Sequence, residues 1–396
     1  MKVWKLKLHD FRNIREVSID LDKHLNFFMG ANGQGKTSII EALSYLATLR
    51  SFRGATTDEV IRNGTTGSDI SCVIREDQKE EWSANLKIIF SSESKTKKTA
   101  FINDKPYKSS TSYLSQRFGN YQLGLHAICF NPSDHELVRG EPTIRRSYLN
   151  RVIAAEEIEY LKRWQKYQRV LEQRNQLLKT EGTISKAVLH GFNEPLCRLG
   201  CEITRRRFQW LSRLTERLGS TAQRIAPRQP FLRAFYVSSW APSIAGLSID
   251  NNNLEAVHFT GQEALPSLEL LEQTFNKKLA ALEEVELRTR TTMVGPHRDD
   301  WTFFLGDNVL KGRGSQGEVR STLLALKLSE IEMFREATGH RPLFLLDDFS
   351  SELDQERRDF LMKFLLDTDL QVFVTTTEHF ANHSGKQFRV IDGKVQ

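Results

Sequence analysis

The segment that most restricts the possible fold is FFMGANGQGKTSIIEAL, residues 27–43. Through Gly30, Gly35, Lys36 and Thr37 it fits the pattern G-x-x-x-x-G-K-[ST] without a mismatch. A strand-like run precedes the glycines, and apolar residues at helical spacing follow them. This is the context in which such a loop binds phosphate, although a chance glycine-rich turn is the competing interpretation. The chain is therefore predicted to be an α/β protein with a nucleotide site.

The chemistry of phosphate binding explains these residue types. Glycines allow backbone N–H groups to turn inward around phosphate oxygens, and the helix N-terminus adds partial positive charge. Lys36 is predicted to bridge the β- and γ-phosphates, and the Thr37 hydroxyl to ligate Mg²⁺. The residues predicted to bind ATP in this loop are Gly30, Ala31, Asn32, Gly33, Gln34, Gly35, Lys36 and Thr37.

A second motif is the apolar run LFLL at residues 343–346, which ends in Asp347 and Asp348. A buried strand that delivers a carboxylate to a nucleotide pocket is what Mg²⁺ binding requires, so Asp347 is predicted as a metal ligand. Asp348 lies where ABC-type ATPases usually have a glutamate that polarises the attacking water. Aspartate is shorter, which predicts slow hydrolysis. A strand end with two solvated acids is the alternative.

A second glycine-rich turn, GSQGE at residues 314–318, precedes a helical pattern at residues 319–335. Its amides and the Ser315 hydroxyl are predicted to form another anion site. One subunit cannot easily wrap both turns around the same γ-phosphate. The turn therefore predicts a head-to-tail dimer in which Ser315 of each subunit completes the other's ATP site. Alternatively, Ser315 is only the N-cap of the following helix.

A helical pattern that starts near residue 143 interrupts the α/β body. The predicted organisation is an N-terminal part of the ATP-binding head at residues 1–142, an inserted helical lobe at 143–285 and a C-terminal part of the head at 286–396. Helices of about 30 residues reach only ~45 Å, which predicts a lobe and no long coiled coil. Residues 91–110 are predicted to be a polar hairpin tip or loop, and residues 236–265 an irregular region. Residues 291–305 are predicted to return to strands.

Composition restricts the possible partners and cellular location of the protein. The net charge of +6 and the pI near 9.0 permit a polyanionic partner. No apolar run approaches the ~20 residues of a membrane helix, and the N-terminus alternates polar and apolar residues, unlike a signal peptide. The protein is expected to be cytoplasmic with no membrane partner, and its four cysteines to be buried and reduced.

Several further segments, together with the phosphate loop, run in the order typical of one family. They are LHDFRNI, SFRG, NPSDHELVRGEPTIRRSYLN, YQRVLEQRNQLLK, VGPHRDD, RGSQGEVRSTLLALKLSE and LLDDFSSELD. The chain thereby resembles the ABC-type ATPase head of SMC-like proteins and, within that group, the bacterial RecF family of DNA repair proteins. The resemblance is weakest at residues 180–270. It implies an α/β fold, with mixed sheets around the phosphate loop and an inserted helical lobe.

The resemblance also implies a function. RecF-like proteins are weak, DNA-stimulated ATPases that dimerise with ATP on gapped DNA or at junctions of single- and double-stranded DNA. Slow hydrolysis releases the dimer, and the proteins work with RecO and RecR to place RecA on single strands. By the same resemblance, Arg12, Asn13 and Arg53 are expected near the nucleotide. Ser315 and Gly317 would act catalytically across the dimer, together with Lys36, Asp347 and Asp348 of the other subunit.

The resemblance further places a loop that couples the two ATP sites at residues 351–354. Four positions depart from the pattern, and two of them are His135 and Asn150, where leucine and aspartate are expected. Glu318 stands where glutamine is expected in RecF, and Thr376 occupies the position of the switch histidine of many ABC proteins, with His379 out of register. The identity of the γ-phosphate sensor is left open.

Basic side chains are candidates for contacts with the DNA backbone, although for any one of them a solvated surface is the favoured interpretation. They are Lys5, Lys7, Lys95, Lys97, Lys98, Lys105, Lys108 and Arg205, Arg206 and Arg207. Three other functions compete with repair: the ATPase subunit of a transporter, an ATP-dependent nuclease and a non-hydrolysing SMC-like clamp. The long interval between Thr37 and Asp347 argues against the transporter.

Overall fold

A computed structural model describes residues 1–76, 79–107, 109–117, 123–180, 185–241, 248–250, 265–348, 354–377 and 385–396. Lys108, residues 351–353 of the expected coupling loop and His379 lie outside this part of the chain, as does much of the segment 236–265. The described chain divides into two compact units, Met1–Asp134 with Glu330–Gln396, and His135–Ser329. The predicted lobe at 143–285 falls within the second unit, and its boundaries as a domain stay a prediction.

An antiparallel sheet of the first unit has the strand order β2-β1-β4-β5-β6-β7. Its strands are β1 Lys2–Phe11, β2 Ile14–Asp20, β4 Gly67–Glu76, β5 Lys79–Ser91, β6 Lys98–Ile102 and β7 Lys105–Tyr107. The prediction of a loop at residues 91–110 is wrong in part, because β6 and β7 lie there. Ala100, Ile102 and Tyr107 are buried in the core, and this alternation anchors the polar ribbon to the sheet.

A second sheet of the first unit has the order β16-β15-β3-β14-β13-β8. Its strands are β3 Leu25–Met29, β8 Ala127–Phe130, β13 Leu343–Leu346, β14 Gln371–Thr376, β15 Lys386–Ile391 and β16 Lys394–Val395. All neighbours are parallel except β15 and β16. Parallel strands expose their carboxyl ends at one edge, so the residues that follow β3, β13 and β14 meet there.

Helices of the first unit complete this α/β arrangement. They are α1 Lys36–Thr48, α2 Thr57–Val60, α3 Ser110–Leu114 and α11 Gln355–Asp367. Helix α1 buries Ile39, Ile40 and Leu43 in the core, at the spacing read from the sequence. Lys36 and Thr37, the polar side chains of the motif, are therefore carried on a helix that is fixed by apolar packing.

The second unit is mainly helical. Its elements are α4 Glu136–Arg139, α5 Pro142–Glu156, α6 Ile158–Lys179, α7 Lys186–Gly191, α8 Asn193–Ile225, α9 Leu268–Thr289, and β9 Leu232–Ser238, β10 Ser248–Asp250, β11 Asp300–Leu305 and β12 Asn308–Val309. Helix α10, Gln316–Thr338, runs across the boundary between the units. At 33 residues, or ~50 Å, α8 is the longest helix of the described residues.

Two predictions in this unit were wrong in part. Strands β9 and β10 occupy residues 236–238 and 248–250 of the segment predicted to be irregular. Residues 291–299 form turns and bends although strands were predicted, whereas the strand prediction is confirmed for Asp300–Leu305. The turns are fixed by buried polar contacts that periodicity does not reveal. The carboxylate of Asp299 accepts hydrogen bonds from Tyr236 at 2.7 Å and Ser238 at 2.8 Å. The hydroxyl of Tyr167 lies 2.6 Å from Nδ1 of His297.

Candidate nucleotide-binding site

The phosphate loop lies between β3 and α1, as predicted. Helix α1 starts at Lys36 behind Gly35, whose φ of +107° favours glycine and whose position provides no capping side chain. The first amides of α1 are thus left for an anion. A Cβ on Gly30 would lie 2.3 Å from the carbonyl oxygen of Val390, so a side chain is excluded there as well.

Lys36 folds back onto the loop that it serves. Its Nζ donates hydrogen bonds to the carbonyl oxygens of Gly30 at 2.7 Å and Ala31 at 2.8 Å. Burial lowers the pKa of Lys36, and the nearby carboxylates of Asp348 and Asp347 oppose that shift. The ammonium is therefore held at the loop, within the field of both acidic residues.

Thr37 and Asp347, the two predicted metal ligands, are in direct contact. The Thr37 hydroxyl donates a hydrogen bond to Oδ1 of Asp347 at 2.9 Å, and the Thr375 hydroxyl donates to the same oxygen at 2.8 Å. Burial raises the pKa of Asp347, while these two hydrogen bonds act in the opposite direction. A carboxylate and a hydroxyl at one point form the oxygen donor set that Mg²⁺ prefers, so these residues fit that ion.

Asp348 has a left-handed backbone, with φ of +55°. Its N–H donates a hydrogen bond to the Thr375 hydroxyl at 2.8 Å. A non-glycine residue in this conformation is costly and is found where the surrounding structure enforces it. The turn places Asp348 in the lining of the same cavity as Lys36.

Arg12 is positioned by Glu41, which the sequence reasoning missed. Both oxygens of this fully buried carboxylate accept hydrogen bonds from Arg12, at 2.6 and 2.9 Å. The carboxylate also accepts one from the Ser51 hydroxyl at 2.5 Å and lies 4.0 Å from Nη1 of Arg53. A third hydrogen bond joins Arg12 to the carbonyl oxygen of Glu59. Helical spacing sets Glu41 opposite Ile39 and Leu43, so the sequence pattern gave no sign that this acid is buried.

Asn13 and Gln34 hold the loop in place. The Asn13 side chain donates to the carbonyl oxygen of Gly33 at 3.4 Å and accepts from the Ser38 hydroxyl at 3.1 Å. The side chain of Gln34 accepts a hydrogen bond from the N–H of Asp392, and its carbonyl oxygen accepts one from Gly393. The turn between β15 and β16 therefore supports the phosphate loop from outside.

Most of the predicted site residues line one cavity of about 780 Å³, a volume within the range of small-molecule sites. They are Arg12, Asn13, Asn32, Gly33, Gly35, Lys36, Thr37, Arg53, Asp347 and Asp348. Gly30, Ala31 and Gln34 are not part of this lining and make the loop contacts described above. The lining residues missed by sequence reasoning are Ser38, Glu59, Ile61, Arg62, Asn63, Pro132 and Thr375.

The second glycine-rich turn lies in the second compact unit. Ser315 caps α10: its hydroxyl accepts a hydrogen bond from the N–H of Glu318 at 3.3 Å. The Glu318 carboxylate accepts from the N–H and the hydroxyl of Ser315, at 2.8 and 2.9 Å. Arg139 donates to the carbonyl oxygen of Gly314 at 3.0 Å. Ser315 is nevertheless exposed, so the cap leaves this end of the helix accessible.

One of the basic residues predicted to contact DNA is buried, and several others form contacts within the protein. Arg207 is completely buried and donates to the carbonyl oxygen of Pro296 at 2.6 Å, so its assignment to DNA was wrong. Arg206 forms an ion pair with Glu157. Lys98 donates a hydrogen bond to the carbonyl oxygen of Leu49, the residue that follows α1. Lys5 and Lys97 pair with aspartates, Asp20 and Asp58.

Two expectations from composition can be compared with the structure. The four cysteines are free and buried, as predicted. Within the part of the chain that the structure describes, no helix is long and apolar enough to cross a membrane.

Comparison with known proteins agrees with this geometry. The sequence profile of the RecF/RecN/SMC N terminal domain family matches residues 2–393. The chain is 32% identical to the DNA replication and repair protein RecF of Geotalea daltonii, and the match covers the full length of both proteins. It is also 32% identical to RecF of Lactobacillus johnsonii, over 96% of this chain and 93% of that protein.

Solved structures give the same result. A structure of the recombination mediator protein RecF with ATP, in the RecFOR pathway, is 26% identical and superimposes with a TM-score of 0.84 over 100% of this chain and 97% of that chain. The Smc head domain of Pyrococcus furiosus is only 13% identical, with a TM-score of 0.55 over 100% of this chain and 95% of that chain, and shares the fold. The predicted α/β ATPase-head fold is thus confirmed, and the chain belongs to the RecF family of the RecF/RecN/SMC proteins.

Proposed function

We propose that this protein is an ATP-dependent DNA-binding protein of recombinational repair and replication restart. In this proposal ATP drives dimerisation on gapped DNA or at junctions of single and double strands, and slow hydrolysis releases the dimer. The protein would act in the cytoplasm, at the nucleoid. The observation that supports this most directly is the contact of Thr37 with Asp347 beside Lys36, in a chain of the RecF family.

ATP would bind in the 780 Å³ cavity, with its phosphates on the amides at the start of α1. Lys36 would exchange its contacts with the loop carbonyls for phosphate oxygens, and Arg12 and Arg53 would add positive charge from the Glu41 side. Thr37 and Asp347 would hold Mg²⁺, which when bound neutralises charge on the phosphate oxygens. Relatives solved with ATP support the nucleotide, and the donor set supports the ion.

Asp348 is the proposed catalytic base. Its backbone turn directs it to the cavity, and the hydrogen bond from its N–H to Thr375 fixes the turn. Its carboxylate would orient the water that attacks the γ-phosphate. Because an aspartate reaches less far than the glutamate usual at this position, the expected turnover is slow.

The proposed dimer uses the exposed N-terminus of α10. Ser315 and Gly317 of one subunit would contact the γ-phosphate held by the other, so the ATP site is complete only in the pair. The exposure of Ser315 is compatible with this role. Residues 351–354 would couple the two sites.

DNA, RecO and RecR are proposed partners on the basis of the family. Relatives are called DNA replication and repair proteins, and the solved relative is placed in the RecFOR pathway. Of the predicted DNA contacts, Lys7, Lys95 and Lys105 carry no ion pair with a described residue. If these lysines contact phosphates, the affinity for DNA is expected to fall strongly as the salt concentration rises.

The proposal is tested by the ATPase rate per subunit as a function of protein concentration, with and without gapped duplex DNA. A rate that rises with concentration and with DNA is expected, because only the dimer completes the site. Lys36→Ala should abolish hydrolysis. Ser315→Arg should abolish ATP-dependent dimerisation, measured by light scattering, while ATP binding to the monomer is retained. A rate that is independent of concentration and DNA would overturn the proposed function.

A further inference from the structure

A second cleft lies at the opposite end of the parallel sheet from the phosphate loop. His24 and Asp369, which line it, come just before β3 and β14, whereas the phosphate loop follows the carboxyl end of β3. The cleft measures about 480 Å³, large enough for a nucleotide-sized group. None of its lining residues belongs to the nucleotide site described above, so it offers a separate place for a ligand.

Trp4 is turned into this cleft by a β-bulge. Val3 pairs with Ile74 and Lys5 with Val73, so Trp4 is the extra residue between them. Bulges re-aim side chains, and here an indole is left 37% exposed next to Val3, which is 1% exposed. An exposed tryptophan contributes less hydrophobic stabilisation than a buried one unless a ligand or partner covers its ring.

The surroundings of Trp4 are positive. The guanidinium carbon of Arg75 lies 4.9 Å from the centre of the indole ring. Arg75 and Lys23 are exposed, and among the described residues neither has a carboxylate within ion-pair distance. Both charges are thus available to an anion that approaches the indole.

The acid at the base of the cleft is already neutralised. Asp369 accepts hydrogen bonds from Lys2 at 2.9 Å and from Arg341 at 2.5 Å, and Nδ1 of His24 lies 3.8 Å away. Glu76 is the remaining carboxylate of the lining. Permanent positive charges therefore outnumber negative ones around Trp4, which favours an anionic ligand.

We propose that this cleft binds single-stranded DNA, with one base stacked on Trp4 and the adjoining phosphates held by Lys23 and Arg75. An aromatic platform beside a positive groove is how single strands are bound without sequence preference. A duplex keeps the faces of its bases stacked inside, so it offers the indole no free base on which to stack. This inference rests on the proposed DNA-binding function and assigns it a site.

The test uses the full-length protein and a fluorescein-labelled dT15 oligonucleotide, with binding measured by anisotropy at 50 and 200 mM salt. Trp4→Ala should weaken binding about 10-fold, since a stacked base is lost. Trp4→Phe should restore most of the affinity. Lys23→Glu with Arg75→Glu should weaken binding further and reduce the slope of log K against log salt by about 1.4 or more, as two phosphate contacts disappear.

Lys363→Glu is the matched control, because Lys363 is an exposed cation on α11 outside both cavities. It should bind dT15 like the unmodified protein. All variants should bind ATP normally, which shows that the fold is retained. A direct signal is quenching of tryptophan fluorescence by unlabelled dT15, and this component should vanish in Trp4→Phe.

Two results would overturn the proposal. One is unchanged dT15 affinity in Trp4→Ala and in the charge-reversal variant. The other is displacement of dT15 by poly-glutamate at equal charge concentration, which would indicate an acidic peptide as the ligand. If the unmodified protein binds gapped duplex while these variants bind dT15 like the control, the cleft assignment alone fails. If the unmodified protein binds no DNA, the proposed function fails with it.

Discussion

The hydroxyl of Thr375 donates a hydrogen bond to Oδ1 of Asp347 at 2.8 Å, from the strand next to the one that carries this aspartate. The same hydroxyl accepts a hydrogen bond from the N–H of Asp348. One side chain on β14 therefore fixes both the proposed metal ligand and the turn that presents the proposed base. It is the residue immediately before Thr376, where many ABC proteins carry a switch histidine.

Thr375→Val is expected to slow Mg²⁺-dependent ATP hydrolysis about 10-fold or more, the usual effect of removing a group that orients a metal ligand. Valine preserves the shape but cannot bind the carboxylate. ATP binding without Mg²⁺ should change little, as the hydrogen bonds of the Thr375 hydroxyl are made with Asp347 and Asp348. Steady-state kinetics and equilibrium binding of a fluorescent ATP analogue measure the two effects.

Thr375→Ser supplies the control, because serine retains the hydroxyl and should recover most of the rate. Equal rates for the valine variant and the unmodified protein would show that Asp347 is held by Thr37 alone.

Glu41→Gln is expected to weaken ATP binding about 10-fold and to destabilise the first unit by about 3 kcal/mol. The amide cannot receive both N–H groups of the Arg12 fork, and it leaves a partly buried guanidinium without its counter-charge. ATP affinity is measured by calorimetry and stability by urea unfolding.

The matched change is Glu59→Gln. Glu59 accepts its hydrogen bond from Arg12 through the backbone oxygen, and its exposed carboxylate is bound to Thr56 at the rim of the cavity, so ATP affinity should be close to normal. If Glu41→Gln lost stability but bound ATP as tightly as before, the positioning of Arg12 would be irrelevant to the nucleotide.

Glu318→Gln is expected to strengthen ATP-dependent dimerisation. In the proposed dimer, the Glu318 carboxylate at the cap of α10 lies beside the γ-phosphate bound by the partner and repels it. Removing one charge about 4 Å away is worth about 1 kcal/mol in water-like surroundings, or roughly 5-fold in the dimer dissociation constant. Sedimentation velocity with a non-hydrolysable ATP analogue measures this constant.

Glu332→Gln makes the same charge change on the same helix, ~21 Å further along, and should leave the dimer unchanged. Weaker or unaltered association of the Glu318 variant would argue against a phosphate at this helix end.

The residues that could be predicted from sequence lie in contiguous motifs. Gly30 to Thr37 and the pair Asp347 and Asp348 are each fixed by a local pattern in which an apolar element delivers the polar group. Glu41 and Thr375 escaped because their importance arises only from contacts with Arg12 and Asp347, which are distant in sequence.

Arg207 shows a different failure. A run of arginines was interpreted as a surface, yet Arg207 lies four residues from both Ile203 and Leu211, on the buried face of α8. Helical spacing could have predicted its burial. Its hydrogen bonds with Tyr160 and Tyr236 could not be predicted, because they depend on how three distant elements pack.

The last prediction concerns His297, a partly buried residue whose ring nitrogens face the hydroxyl of Tyr167 and the carbonyl oxygen of Thr292. A carbonyl only accepts, so Nε2 carries the proton and Nδ1 accepts from the Tyr167 hydroxyl. Burial lowers the pKa of His297 to about 4, from an ordinary value near 6.5. Between these values the unfolded chain binds a proton that the folded protein does not. Acidification through this interval therefore destabilises the second unit.

His297→Gln removes this contribution, because glutamine can donate to Thr292 and accept from Tyr167 without titrating. On going from pH 7 to pH 5, the variant is expected to lose about 2 kcal/mol less unfolding free energy than the unmodified protein. Urea unfolding followed by near-ultraviolet circular dichroism reports on this unit, which contains Trp164, Trp210, Trp240 and Trp301. Parallel pH profiles for the two proteins would mean that the pKa of His297 is the same in the folded and unfolded states. The folded ring could then carry a proton on both nitrogens, and Nδ1 would donate to Tyr167 while Nε2 still donates to Thr292.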